Sequence, residues 1–313
     1  MQMDGRENEE PGGGGSSPDF AGATRIVSED PGSHRVLTGD QRQAYQRDGF
    51  IALPGLVDKG TLKSLQDATE GFVDQSKTLT ESTPLFDLQA GHCAESPRLR
   101  RLVSPADLHP TFWEFASESI IVDLVEDLLG PDIKFHHSKL NFKAPRGGEE
   151  VKWHQDIQFW PHTNYSPLTI GVFLEDVGPD MGNVGFIPGS HEGPLYDQYD
   201  GEQWVGCLNS VDSQALATEN AVYPAGPAGT VTVHNCRTVH GSKRNESDRS
   251  RPLLLQTYAA ADAFVYTDLV RKSPRGDSLI RGRPARWARH DPRPCQVGPS
   301  RVRTIFEVQQ RED

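Results

Sequence analysis

The chain has 313 residues, with 32 Lys and Arg against 44 Asp and Glu, for a net charge of −12. That balance excludes a surface built mainly to hold nucleic acid or an anionic membrane, and no apolar run approaches the roughly 20 residues that span a bilayer. Four scattered cysteines, Cys93, Cys207, Cys236 and Cys295, form no CxxC pair. They read as small buried apolar groups in a reducing, cytoplasmic setting, and the N-terminus lacks the basic-then-apolar pattern of a secretory signal.

Residues 1–35 are acidic and rich in Gly, Ser and Pro. They cannot bury enough apolar surface to offset the entropy of ordering, so they read as a disordered tail. A single domain is expected over 36–313. Thr38 followed by Gln41 is a capping box, and Gly49 is a C-terminal stop for the helix between them. Phe50-Ile51-Ala52-Leu53 reads as a first strand, ended by Pro54. Leu62, Leu65, Phe72 and Val73 share one face of a second helix. Phe112, Phe115, Ile121, Leu124, Val125 and Leu128 do the same for a third, which Gly130-Pro131 terminates. From residue 133 onwards short strand-like runs alternate with Gly/Pro/Asn turns, near 133–143, 150–157, 168–175, 183–188, 229–234 and 252–260. Helices first and many short strands afterwards predict a mainly β domain, a sandwich or jelly roll with flanking helices.

The sharpest chemical feature is Trp153-His154-Gln155-Asp156 at the end of a predicted strand. Residues i and i+2 of an extended chain project from the same face, so the imidazole of His154 and the carboxylate of Asp156 point together. The stretch from His234 to His240 supplies candidates for a third ligand. Two His and one carboxylate, leaving metal positions open, is the facial triad of Fe(II) oxygenases. The open positions matter because O2 and a bidentate co-substrate must both reach the iron.

Further motifs extend the pattern: Leu37-Thr38 with Asp48-Gly49-Phe50, Phe142-Lys143-Ala144-Pro145, Ile187-Pro188-Gly189-Ser190-His191, and His240-Gly241-Ser242 with Asn245, Ser247 and Arg251. In this order and spacing, from about Leu37 to Ala260, the chain resembles the phytanoyl-CoA dioxygenase family of Fe(II)/2-oxoglutarate-dependent oxygenases. The resemblance implies a double-stranded β-helix, a cupin-like jelly roll. It also implies iron held by His154, Asp156 and His240, with Arg251 gripping the distal carboxylate of 2-oxoglutarate. A guanidinium fork suits that task because it pairs bidentately and stays charged; Arg249 is the rival.

Asn141 and Thr169 look like co-substrate contacts of the related ectoine hydroxylases, with Lys139 and Ser242 as weaker candidates. Ectoine hydroxylases also carry a Trp four positions after the ligand Asp, which Trp160 matches. With Phe159 and His162 it forms a candidate substrate wall, either as an apolar face or by cation–π contact. Thr163 and Asn164 replace an acidic pair of those enzymes, which argues against ectoine itself. His136 and His137, as neighbours on a strand, are expected to project oppositely. His191 belongs to a structural turn. Halogenating members of the family lack the carboxylate, so Asp156 favours hydroxylation of a small soluble metabolite over halogenation. An acyl-CoA hydroxylase and a catalytically silent metal-binding cupin are the alternatives. The irregular stretch 271–303 holds ten Lys/Arg and two Asp. It is either a clamp for an anionic substrate or a solvated segment packed on the acidic body.

Overall fold

The computed structural model describes residues 35–267, 273–299 and 305–309. The tail expected over 1–35 lies outside them but for Arg35, as do the ends of the basic stretch. Helix α1 (Gly39–Asp48), strand β1 (Phe50–Leu53) and helix α2 (Lys59–Ser76) open the domain, followed by β2 (Phe86–Leu88) and β3 (Leu99–Val103). Helices α3 (Pro105–Leu108), α4 (Pro110–Glu118) and α5 (Ile120–Leu129) precede β4 (Ile133–Lys143), β5 (Val151–His154), β6 (Leu168–Phe173) and β7 (Val184–Phe186). A short excursion, β8 (Tyr199–Asp200), β9 (Gln203–Trp204) and α6 (Ser210–Ala215), leads to β10 (Val231–Asn235) and β11 (His240–Ser242). The chain continues through β12 (Arg251–Ala260) and β13 (Leu279–Arg281) to α7 (Ile305–Gln309).

The large antiparallel sheet runs β1-β10-β6-β12-β4-β3-β2, with β13 added to β4, and the smaller one runs β5-β11-β7. The fold is the double-stranded β-helix. Thr38 caps α1 with the reciprocal Gln41 bond, and Gly49 ends the helix at φ 79°. A Cβ at Gly49 would meet the ring of His191 at 2.4 Å; His191 packs there with Nε2 3.1 Å from the Gln46 carbonyl. Its role is structural, as expected.

The third helix is in fact two. Ser119 turns extended at φ −87°, ψ 178° and its hydroxyl accepts from Ile121 N, which starts a new helix. The same hydroxyl donates to the Phe115 carbonyl at 2.6 Å, closing α4. Apolar periodicity carried across the break and concealed it. Strands β2 and β3 had no clear signal in the sequence. Cys93 is exposed and Cys295 half-buried, so only Cys207 and Cys236 behave as core thiols.

One face of the large sheet carries Leu168, Ile170, Val172, Val231, Val233, Leu254 and Tyr258, packed with Leu65, Phe72, Phe112, Phe115 and Leu124 of the helices. Its opposite face carries the buried Thr169, Thr257 and His234 and the half-buried Lys139 and Asn141, which positions the site between the two sheets.

Candidate active site

His154 and His240 are direct cross-strand partners on β5 and β11. Each ring is fixed from behind: His154 Nδ1 donates to the Lys152 carbonyl and His240 Nδ1 to the Thr238 carbonyl, both at 2.9 Å. A backbone bond at Nδ1 sets the tautomer and leaves Nε2 bare to act as a ligand. Gln155 remains extended at φ −120°, ψ 127°, so Asp156 projects beside His154 before the chain turns into a short 3-10 helix. The Nε2 atoms of His154 and His240 lie 3.7 and 3.9 Å from Asp156 Oδ1. Ligand atoms of the three residues lie within 4.8 Å of one another, the spacing a single metal ion requires.

Burial pushes His154 down to about 4 and lowers His240 well below the ordinary range, so both imidazoles are neutral and their lone pairs available. Burial alone would raise Asp156; the charge of Lys139 first, and the hydrogen bond from His234, outweigh it and hold the carboxylate ionised. This donor set, two neutral imidazoles and one carboxylate with one side open, fits iron(II).

The other oxygen, Asp156 Oδ2, is held by the Thr169 hydroxyl at 3.2 Å and lies 3.4 Å from His234 Nε2. Thr169 in turn meets the Thr257 hydroxyl at 3.1 Å. Thr169 thus orients the carboxylate, a contact that the sequence reading did not contain. His234, the competing third ligand, sits behind Asp156 while His240 sits beside it.

Arg251 opens β12 opposite Lys143 and is buried. Nη2 donates to the Gly182 carbonyl at 2.9 Å, whereas Nε is buried with no hydrogen-bond partner. Burial lowers this guanidinium to about 10, which leaves it charged at neutral pH. Arg249 is exposed and bonds the Asp176 carbonyl. A carboxylate at the free edge of Arg251 would satisfy it.

His137, Lys139 and Asn141 line the site-facing side of β4. Arg101 on β3 pairs with Asn141, and its Nε donates to the Asn141 Oδ1 at 3.0 Å. Arg101 was missed because β3 was missed; it belongs to no motif, and only strand pairing brings it in. Phe306 of α7 packs on this edge, with the Arg100 and Arg101 guanidinium groups 5.1 and 5.2 Å from its ring centre. Ser242 is buried on β11, two residues past His240.

His136 and His137 do not project oppositely. Tyr258 pairs with Phe135 and Thr257 with His137, leaving His136 as the extra residue of a bulge. An inserted residue shifts the two-residue alternation, and the two imidazoles meet through their Nδ1 atoms. Trp160 is buried against them, 5.4 Å from His136 and 5.9 Å from His137 between ring centres. His162 stands 5.0 Å from His136 and donates from Nδ1 to the Trp160 carbonyl at 2.6 Å. Phe159 lies edge-on to His154 at 5.8 Å.

The basic stretch folds onto the acidic body. Residues 279–281 form β13, contrary to an entirely irregular segment. Arg281 bridges Asp123 and Glu126, Arg289 reaches Asp262 at 3.1 Å, and Arg293 reaches Glu192 at 3.8 Å while also pairing with Asp291 inside the stretch.

Comparison with known proteins agrees with this geometry. A probable alpha-ketoglutarate-dependent hypophosphite dioxygenase of Stutzerimonas stutzeri is 41% identical over 53% of this chain and 59% of that protein, less than two thirds of its length. The ectoine dioxygenase of Sphingopyxis alaskensis is 27% identical over 82% of this chain and 89% of its own. The crystal structure of EctD from S. alaskensis with bound Fe superposes at a TM-score of 0.62, with 24% identity over 87% of this chain and 90% of that one. The same protein has been solved with 2-oxoglutarate and 5-hydroxyectoine. Residues 45–253, well over half of the sequence and every triad position, match the phytanoyl-CoA dioxygenase (PhyH) family, and the chain belongs to that family.

Proposed function

We propose that the protein is an Fe(II)- and 2-oxoglutarate-dependent dioxygenase that hydroxylates, or otherwise oxidises, a small soluble metabolite, consuming O2 and releasing succinate and CO2. The observation that carries this reading is the convergence of His154, Asp156 and His240 in company with a buried Arg251 whose Nε has no hydrogen-bond partner among the described residues. Bound iron supplies the oxygen activation, and the chain's own residues supply placement. His154, Asp156 and His240 would hold the metal, with Thr169 and His234 steadying the carboxylate. Arg251 would take the distal carboxylate of 2-oxoglutarate, with Asn141, Thr169, Lys139 and Ser242 along its path. Trp160, Phe159 and His162 would wall the substrate.

A silent cupin has no use for Arg251. An acyl-CoA substrate loses its candidate clamp, because Arg281, Arg289 and Arg293 of the basic stretch are engaged by Asp123, Asp262 and Glu192 of the body. The substrates named for relatives differ in charge, hypophosphite being an anion and ectoine a zwitterion. Among the described residues no helix is long and apolar enough to cross a membrane; with the acidic composition, this supports a cytoplasmic enzyme without nucleic-acid partners.

The test is reconstitution with Fe(II) under anaerobic conditions, addition of 2-oxoglutarate, then oxygenation. Slow succinate release dependent on iron is expected without substrate, with acceleration by the true one. Absence of 2-oxoglutarate binding to the iron-loaded protein would overturn the reading.

A further inference from the structure

Strand β5 carries His154 at one edge of the small sheet, beside β11. The pairing of these two strands is interrupted. His154 faces His240 and Val151 faces Ser242, so Lys152 and Trp153 on β5 stand opposite Gly241 alone on β11. A bulge of this kind leaves backbone groups outside the ladder, and buried ones must be satisfied from elsewhere. The Trp153 carbonyl accepts from Leu208 N at 2.8 Å. The Lys152 N–H donates to the side chain of Gln309, with Oε1 at 2.9 Å.

Gln309 comes from α7, beyond the residues 45–253 that match the family. Its carboxamide is used at both ends, since Nε2 donates to the Gly206 carbonyl at 2.7 Å. One acceptor beside one donor is what a peptide unit of a neighbouring strand would present. The side chain thus stands in for a missing strand and ties the bulge to the Gly206–Leu208 segment. Gln309 is itself buried, which keeps water out of that role.

A helix of five residues does not hold itself together, so packing must seat α7. Phe306 is buried over the guanidinium groups of Arg100 and Arg101. Val308 closes on Gly206, where a Cβ would lie 3.0 Å from Phe159 Cζ and 3.2 Å from Val308 Cγ1. Neither side chain belongs to the core between the helices and the large sheet. The contacts of α7 go to the rim of the site instead.

Lys152 is the link to the metal. Its carbonyl accepts from His154 Nδ1, so the residue that Gln309 grips by the N–H is the one that orients the imidazole. His240 has separate support at the Thr238 carbonyl. We infer that Gln309 is a positioning residue for the iron site, acting through Lys152 to fix the ring of His154 with Nε2 towards the metal. The inference rests on the oxygenase reading for the identity of that metal. Without Gln309, Lys152 is free to shift and the ring to turn away.

The test uses the full chain, first metal-free and then with Fe(II) added anaerobically. Gln309→Met keeps the length of the side chain and removes both bonds. Gln66→Met is the comparison, because Gln66 of α2 makes a similar bond to the Leu174 carbonyl at 2.7 Å, away from the site. NMR of the histidine rings in the metal-free protein reads the proton on each Nδ1, and wild type should protect it at both His154 and His240. Gln309→Met should speed exchange at His154 about tenfold, leave His240 unchanged, and weaken Fe(II) binding by about 10- to 100-fold, as loss of an outer partner does. Gln66→Met should alter neither histidine nor the iron affinity, even where it lowers the thermal midpoint as much. An unchanged His154 proton, equal acceleration at both histidines, or an iron affinity that follows the thermal midpoint in both variants overturns the inference. A wild type that takes up neither Fe(II) nor 2-oxoglutarate overturns the oxygenase reading instead. The contrast between His154 and His240 is read without metal, so the two failures are distinguishable.

Discussion

Arg251 is the residue whose replacement separates a co-substrate anchor from a structural arginine. Its guanidinium is buried, makes one bond to the Gly182 carbonyl, and keeps Nε without a partner. If a carboxylate completes it, Arg251→Met removes charge-assisted bonds worth ~1.5–3 kcal/mol, a loss of about 10- to 150-fold in 2-oxoglutarate affinity. The same change removes a buried charge that has no acidic neighbour among the described residues of the free protein. The co-substrate-free variant should therefore lose no more than about 1 kcal/mol, the worth of one hydrogen bond. The assay is thermal unfolding of the iron-loaded protein with and without 2-oxoglutarate. Wild type should gain ~2.7 kcal/mol at a hundredfold excess over Kd, and Arg251→Met only about 0.3–1.4 kcal/mol at that concentration. Arg249→Met, altering an exposed side chain, should behave as wild type. A large destabilisation of the free Arg251 variant, or an unchanged response to 2-oxoglutarate, would refute the assignment.

Replacing His154, Asp156 or His240 with Ala should abolish tight Fe(II) binding by calorimetry, whereas His234→Gln should weaken it by about 10- to 100-fold, the usual cost of losing an outer partner; the opposite order for His234 and His240 would exchange their roles. Burial holds His137 at about 3 and His162 at about 4, so between about pH 4 and 6.5 the unfolded chain binds more protons than the folded one. Stability from these groups is then complete above about pH 6.5 and falls on acidification by ~2.5 kcal/mol per pH unit at its steepest. Urea midpoints of His137→Gln/His162→Gln should be correspondingly flatter with pH, and an unchanged slope would discount both groups. Trp160→Ala should cost ~3–5 kcal/mol as a large-to-small change in a buried cluster and raise the substrate KM. It should leave Fe(II) and 2-oxoglutarate affinity intact, and equal loss of all three would make Trp160 a packing residue alone.

The parts of the site that were legible in sequence are those held by short-range geometry. His154 and Asp156 converge because an extended Gln155 separates them, and that is readable from two letters and a strand. Thr38, Gln41 and Gly49 delimit α1 by local chemistry for the same reason. Arg101 was not legible, since nothing near it in sequence signals a site; only the pairing of β3 with β4 delivers it to Asn141. The bulge at His136 was equally silent, because one inserted residue leaves composition unchanged yet moves an imidazole across the sheet. Ser119 did carry a signal. A Ser before an apolar run is an N-cap, but the continuing run of Ile, Val and Leu outweighed it.

A more general sign was present in the strands themselves. Leu168, Ile170 and Val172 face the helices, and Thr169 lies between them, as buried as they are. Read by alternation alone, Thr169 belongs to a solvent face, and so do Thr257, Lys139 and Asn141. The structure encloses that face instead, with β5 and β11 above it. Polar side chains then stand where water is scarce, and each must find a partner or await one. Thr169 finds Asp156 and Thr257 finds Thr169, while Arg251 Nε and His136 Nε2 each lack a partner among the described residues. The satisfied groups build the metal's carboxylate support. The unsatisfied ones mark, by what they lack, the charge of the molecules that complete the site.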